Sequence, residues 1–176
     1  GISKVWDKDA DGFVRGESVS CLLLQKKGDA KRIYATVIHS KNNIDGYKKS
    51  GSFFPSKDFQ QRLMEDTYIE AGINPHDISY FEAHGTGTKA GDPEEAEAIY
   101  RAFCKDRKDK LLIGLLKSNI GHGEGTSGLA SVVKSLISFE NKKIAANLHL
   151  KTIKPSIARF CPPLCPVNEN LDFEPN

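Results

Sequence analysis

Two histidines combine residue type and surroundings in a way that could support catalysis. His84 closes an apolar run in EAHGTGT, and His122 follows another in KSNIGH, with Lys117 five residues before it. Imidazole can donate or accept a proton near neutral pH. The glycines beside both rings let backbone approach a ligand closely. A single histidine of this kind is more often structural or solvent-facing. Two at equivalent strand ends point to one site.

The elements that must position them alternate between strand and helix patterns. Residues 18–26 and 32–39 are β-rich runs. A helix is expected over 57–71, with Ser56 as its N-cap and Gly72 as its stop. ISYFEAH (78–84) has the composition of a buried strand. Asp92 can cap the next helix, with Pro93 at its first position and Glu95 at capping-box spacing. Ala96, Ile99, Tyr100 and Phe103 then share a face. LLIGLLKS (111–118) is a further strand, and KIAANLHL a short one. Between them, Leu129, Val132, Val133, Leu136 and Ile137 form the apolar stripe of another helix. This order implies an α/β fold with a largely parallel sheet. Ligands bind such folds beyond the carboxyl ends of the strands. The loops HGTGTKAGD and NIGHGEGTSG occupy those positions.

The remaining composition narrows the possibilities. The chain has 176 residues, 39% hydrophobic and 27% charged, enough for a packed core in about one domain. A net charge of +2 gives no argument for nucleic acid or a membrane surface. No run approaches the ~20 apolar residues of a membrane span. Cys21, in SVSCLLLQ, is expected in the core, and Cys104, Cys161 and Cys165 suggest neither a zinc site nor a disulfide framework. A reducing, cytoplasmic setting is therefore expected. DKDADGFVRGES imitates a calcium loop through Asp7, Asp9, Asp11 and Gly12, but Ser18 stands where the bidentate glutamate belongs and Glu17 comes one residue early. HGTGTKA imitates a dinucleotide turn without an acidic partner at the end of the next strand. No metal or bound cofactor is expected. Lys105, Arg107, Lys108, Lys110, Lys142 and Lys143 are expected to form solvated faces.

EAHGTGTKAGDP, KSNIGHGEGTSGLA and DGFVRGE together resemble the signature blocks of β-ketoacyl synthases of the thiolase superfamily. YATVIHSKNNIDGYK, FFPS and NLHL further resemble the condensing domain of animal-type multifunctional fatty-acid synthases. The likeness runs over nearly the whole chain. It implies a thiolase-like fold, here the C-terminal half of a layered αβα ketosynthase. It also implies a Cys–His–His site that decarboxylates malonyl on an acyl carrier protein and joins the resulting carbanion to an acyl thioester. On this resemblance His84 and His122 are the two histidines, Lys117 supports them electrostatically, and Thr86 and Thr88 contact the phosphopantetheine arm. The expected partners are an acyl carrier protein and, as for the family generally, a second copy of the chain.

The chain also departs from the pattern. The nucleophile motif, of the type DTACSS, is absent, so residues 1–165 are expected to be a partial synthase domain that condenses nothing alone. Residues 166–176 are expected to be a linker. Ser18 replaces a glycine of the pattern, and Gly123 and Gly125 replace bulkier residues near the helix that follows His122. Polyketide synthases share the blocks, so a polyketide product is the alternative to fatty acid. A non-catalytic, ketosynthase-like scaffold is a second alternative, and a thiolase-like enzyme that uses no carrier protein is a third.

Overall fold

The computed structural model describes residues 1–173. Helix α1 (Lys57–Ala71) has the bounds expected from sequence. Ser56 Oγ accepts from Phe59 N–H, and Gly72 turns left-handed (φ 66°) to donate to the last carbonyls. Strand β1 (Tyr80–Glu82), helix α2 (Gly91–Phe103), strand β2 (Leu111–Gly114), the short helix α3 (Lys117–Ile120) and helix α4 (Ser127–Asn141) follow. Strand β3 (Lys143–Ile144), helix α5 (Pro155–Ala158) and strands β4 (Leu164–Pro166) and β5 (Leu171–Asp172) complete the order.

The sheet at the centre is parallel, as expected, with β2 between β1 and β4. Side chains alternate across it. Phe81, Leu111 and Ile113 join Ala96, Ile99 and Phe103 of α2, with Val5, Trp6, Ile157 and Phe160, in the larger core cluster. Tyr80 and Leu112 pack instead with Ile144, Val167 and Phe173. Phe139 of α4 stacks on Phe173 at 6.2 Å. The layers are therefore helix, sheet, and helix with a small β3–β5 ladder.

Several sequence expectations fail, each for a physical reason. Residues 18–26 and 32–39 form no strand, because a strand needs a ladder partner and none pairs with them among the described residues. Their apolar side chains, including Leu23 and Val37, are exposed, and so is Cys21. Helix α4 turns Ala130, Lys134 and Ser138 inward, while Leu129, Val132 and Ile137 face out. The face turned inward carries a buried ion pair, Lys134 Nζ to Glu82 Oε2 at 2.8 Å, while Val133 and Leu136 of the stripe are half-buried. Arg107 is buried, with its guanidinium donating to Ile78 O (2.6 Å) and to Asp109 (2.8 Å). Residues 164–173, expected from 166 onward to be linker, contribute β4 and β5 and bury Val167 and Phe173. The rest of that expected linker, residues 174–176, lies outside the described residues.

Phe103 meets Tyr68 edge-on at 5.0 Å and Phe81 at 5.4 Å, and is fully buried. Phe103→Ala is expected to destabilise the protein by about 3–5 kcal/mol, read as a lowered midpoint of urea unfolding.

Candidate active site

The site forms where three backbone segments meet beyond the carboxyl ends of β1 and β2. Strand β1 runs into His84 and then into the turn Gly85–Thr88. Two carboxylates of α2 hold that turn. Glu95 accepts from His84 N–H (2.6 Å) and Gly85 N–H (2.8 Å). Asp92 accepts from Gly87 N–H (2.9 Å), Thr88 N–H (3.3 Å) and Trp6 N–H (2.9 Å). Both had been expected to cap α2. The helix instead starts at Gly91, and Asp92 in its first turn and Glu95 in its second reach back to the preceding loop, where the helix N-terminus also favours negative charge.

After β2 the chain turns into α3 under similar control. Asn147 Oδ1 accepts from Leu115 N–H (2.7 Å), and Glu82 Oε1 accepts from Leu116 N–H (2.8 Å). Lys117 comes next and is buried. Its ammonium donates to His84 O at 2.5 Å and lies 3.3 Å from His84 Nδ1.

The third segment is DGFVRGE, which joins the two histidine loops. Gly12 N–H donates to Gly87 O (2.9 Å), His122 N–H to Val14 O (2.7 Å), and Gly16 N–H to His122 O (2.9 Å). This close approach requires glycine at two positions. A Cβ on Gly87, already left-handed at φ 79°, would lie 2.7 Å from Gly12 O, and one on Gly16 would collide with Ile120 O. Phe13 packs on the His122 ring at 4.8 Å.

The two imidazoles are edge-to-face, with centroids 5.2 Å apart. His122 Nδ1 accepts from Glu124 N–H (3.0 Å), so neutral His122 carries its proton on Nε2. Lys117, as an ammonium, makes Nδ1 of His84 the acceptor and gives that ring the same tautomer. Among the described residues neither Nε2 is engaged. Burial, then Lys117, then His122 push the His84 pKa down to about 4, although the residue as a whole is exposed. His122 is lowered by burial and by Lys117. The unfolded His84 imidazole takes its proton near 6.5, so acidification from there toward 4 favours unfolding. Both rings are thus neutral N–H donors at neutral pH.

Lys117 is lowered by burial, against the pull of Glu95 and Glu82. Glu95 is raised to about 7, burial outweighing the two amides that favour its charged form. Two of the cysteines are shifted away from the thiolate form that an activated nucleophile needs. Burial raises Cys104 to about 11 and also raises Cys161.

Thr86 and Thr88 share the turn, their hydroxyls 3.1 Å apart, and Thr88 Oγ1 accepts from Gly91 N–H (3.0 Å). Ser18 Oγ bonds Thr126 Oγ1 at 2.5 Å, tying the strap to the start of α4. Asp7, the first position of the calcium-like string, accepts from the amides of Lys151, Thr152 and Asp9. Sequence reasoning missed the anchoring roles of Asp92, Glu95, Glu82 and Asn147. Their one visible signal is an acid or amide within a turn of each histidine loop or strand end, which also suits a cap.

The pattern described as "Beta-ketoacyl synthase, C-terminal domain" matches residues 34–151. A fatty acid synthase of Anser anser anser is 48% identical over 141 residues, covering 80% of this chain and 40% of the relative. The hybrid PKS-NRPS synthetase buaA of Petromyces alliaceus is 42% identical over 173 residues, 91% of this chain and 4% of that one. The chain therefore spans well under half the length of these relatives. Among solved structures, the ketosynthase from module 6 of the bacillaene synthase from Bacillus subtilis 168 superimposes with a TM-score of 0.93 at 38% identity. That match covers 99% of this chain and 32% of the other.

Glu95→Gln offers one acceptor oxygen to two buried amides. It is expected to cost about 1–3 kcal/mol of stability, measured by chemical denaturation.

Proposed function

The chain belongs to the β-ketoacyl synthases, of thiolase-like fold, and on that premise we propose that it supplies the enolate-stabilising half of a condensing site. The observation that carries this reading is the pair of imidazoles with centroids 5.2 Å apart, each with Nδ1 facing an N–H donor and, among the described residues, Nε2 unengaged.

The chemistry follows from the neutral state of both rings. A malonyl thioester loses CO₂ when the electron pair of the breaking C–C bond moves into the thioester carbonyl. Negative charge then develops on one oxygen, and each fixed N–H donor aimed at it is worth about 3 kcal/mol. An imidazolium would hand its proton to the enolate and quench the carbanion. Neutral imidazole donates the hydrogen bond and keeps the proton. The enolate carbon then attacks an acyl thioester, forming the new C–C bond and expelling a thiolate. The acyl group is carried by a cysteine other than the four of this chain, two of which have raised pKa values.

Malonyl reaches the site on the phosphopantetheine arm of an acyl carrier protein, with Thr86 and Thr88 beside its path. The protein works as a cytoplasmic homodimer. Fatty acid is the favoured product class, supported by the 48% identity to a fatty acid synthase and by the NLHL and FFPS segments. The polyketide reading is supported by the 42% identity to a polyketide-type relative. No helix of the described residues is long and apolar enough to cross a membrane.

His122→Ala in the full-length protein is expected to lower malonyl-carrier decarboxylation about 10²–10³-fold. Decarboxylation that survives the change would remove the catalytic reading and leave a ketosynthase-like scaffold.

A further inference from the structure

Two residues before His84, Glu82 is almost wholly buried, and its side chain reaches three other parts of the fold. Oε1 accepts from Leu116 N–H at 2.8 Å. Oε2 accepts from Tyr80 OH and lies 2.8 Å from Lys134 Nζ on α4. The side chains of Glu82 and Lys134 are each 7% exposed, and among the described residues the ammonium has no hydrogen-bond partner, so it faces Glu82 by charge. The strand opposite keeps room for this carboxylate. Gly114 pairs with Glu82 in the β1–β2 register, and a Cβ there would collide with Glu82 Oε2 and Tyr80 OH.

A buried ion pair is weak evidence of stabilisation, because apolar residues of similar volume often do as well. Its location suggests another role. Leu116 is the residue that turns β2 into α3, and Lys117 follows it directly. A carboxylate fixed to β1 therefore sets the backbone from which Lys117 reaches His84 O and Nδ1.

Resting on the condensing function above, we propose that Glu82, its charge compensated by Lys134, is a positioning residue of the site. It aims Lys117 and so fixes the tautomer of His84. Glu82 and Lys134 touch no substrate. They act through the Leu116 amide.

The test compares two neutral double variants of the full-length protein. Glu82→Gln with Lys134→Met keeps an acceptor for Leu116 N–H, whereas Glu82→Leu with Lys134→Met does not. The Gln double is expected to keep most of the wild-type kcat for malonyl-carrier decarboxylation. The Leu double is expected to lose kcat about 10- to 100-fold at unchanged KM. Equal kcat in the two doubles, or a loss seen only in KM, overturns the proposal. If the Leu double does not fold, Glu82→Asp decides the matter. It is expected to lower kcat in the wild-type background and to have no further effect on the residual rate of Lys117→Ala. Equal losses in both backgrounds overturn the proposal. A wild-type protein without decarboxylation overturns the functional reading and this inference with it, whereas the outcomes above overturn the inference alone.

Discussion

Burying the ammonium of Lys117 is a cost that the surrounding structure must meet. An isolated buried cation is penalised by several kcal/mol, and only close oxygen and nitrogen acceptors with opposite charge nearby can offset that. His84 supplies a carbonyl and a ring nitrogen, while Glu95 and Glu82 supply charge. These acids are themselves buried and need partners. Glu95 takes two backbone amides, and Glu82 takes Leu116, Tyr80 and Lys134. One lysine thus draws β1, α2, the turn after β2 and α4 into a single polar network at the end of the sheet.

The consequence falls on the two histidines. Lys117 raises the cost of charging both rings and occupies Nδ1 of His84, while a backbone amide occupies Nδ1 of His122. The strap DGFVRGE then fixes the distance between the two loops through three backbone hydrogen bonds. Gly16 is needed because backbone passes against backbone there, leaving no space for a side chain. Where the sequence departs from the family pattern, the structure compensates in one place and leaves room in another. Ser18 gains a bond to Thr126, and Gly125 has nothing near its missing side chain.

Elements governed by local chemistry were legible in the sequence. The bounds of α1 follow from Ser56 and Gly72, and the parallel order follows from alternating apolar runs. His84, Lys117 and His122 were legible as a group from their motifs, although β2 ends at Gly114 and Lys117 and His122 lie in and just after helix α3. What depended on long-range partners was not. Asp92 and Glu95 have the spacing of caps, yet their carboxylates are taken by amides four to eleven residues upstream and by Trp6. The stripe on α4 suggested a buried apolar face, but the helix instead buries Lys134, paired with Glu82 52 residues earlier in sequence, a contact that periodicity cannot reveal. The β-rich runs at 18–26 and 32–39 have strand composition without a ladder partner, which composition cannot reveal.

The central claim is that both imidazoles are neutral and carry their proton on Nε2. Nitrogen-15 chemical shifts of assigned histidines in the full-length protein read protonation and tautomer directly. The account predicts that at pH 7 His84 and His122 are both neutral Nε2–H tautomers, and that His84 keeps this state down to pH 5.5. An imidazolium at either position, or a proton on Nδ1 of either ring, would contradict it.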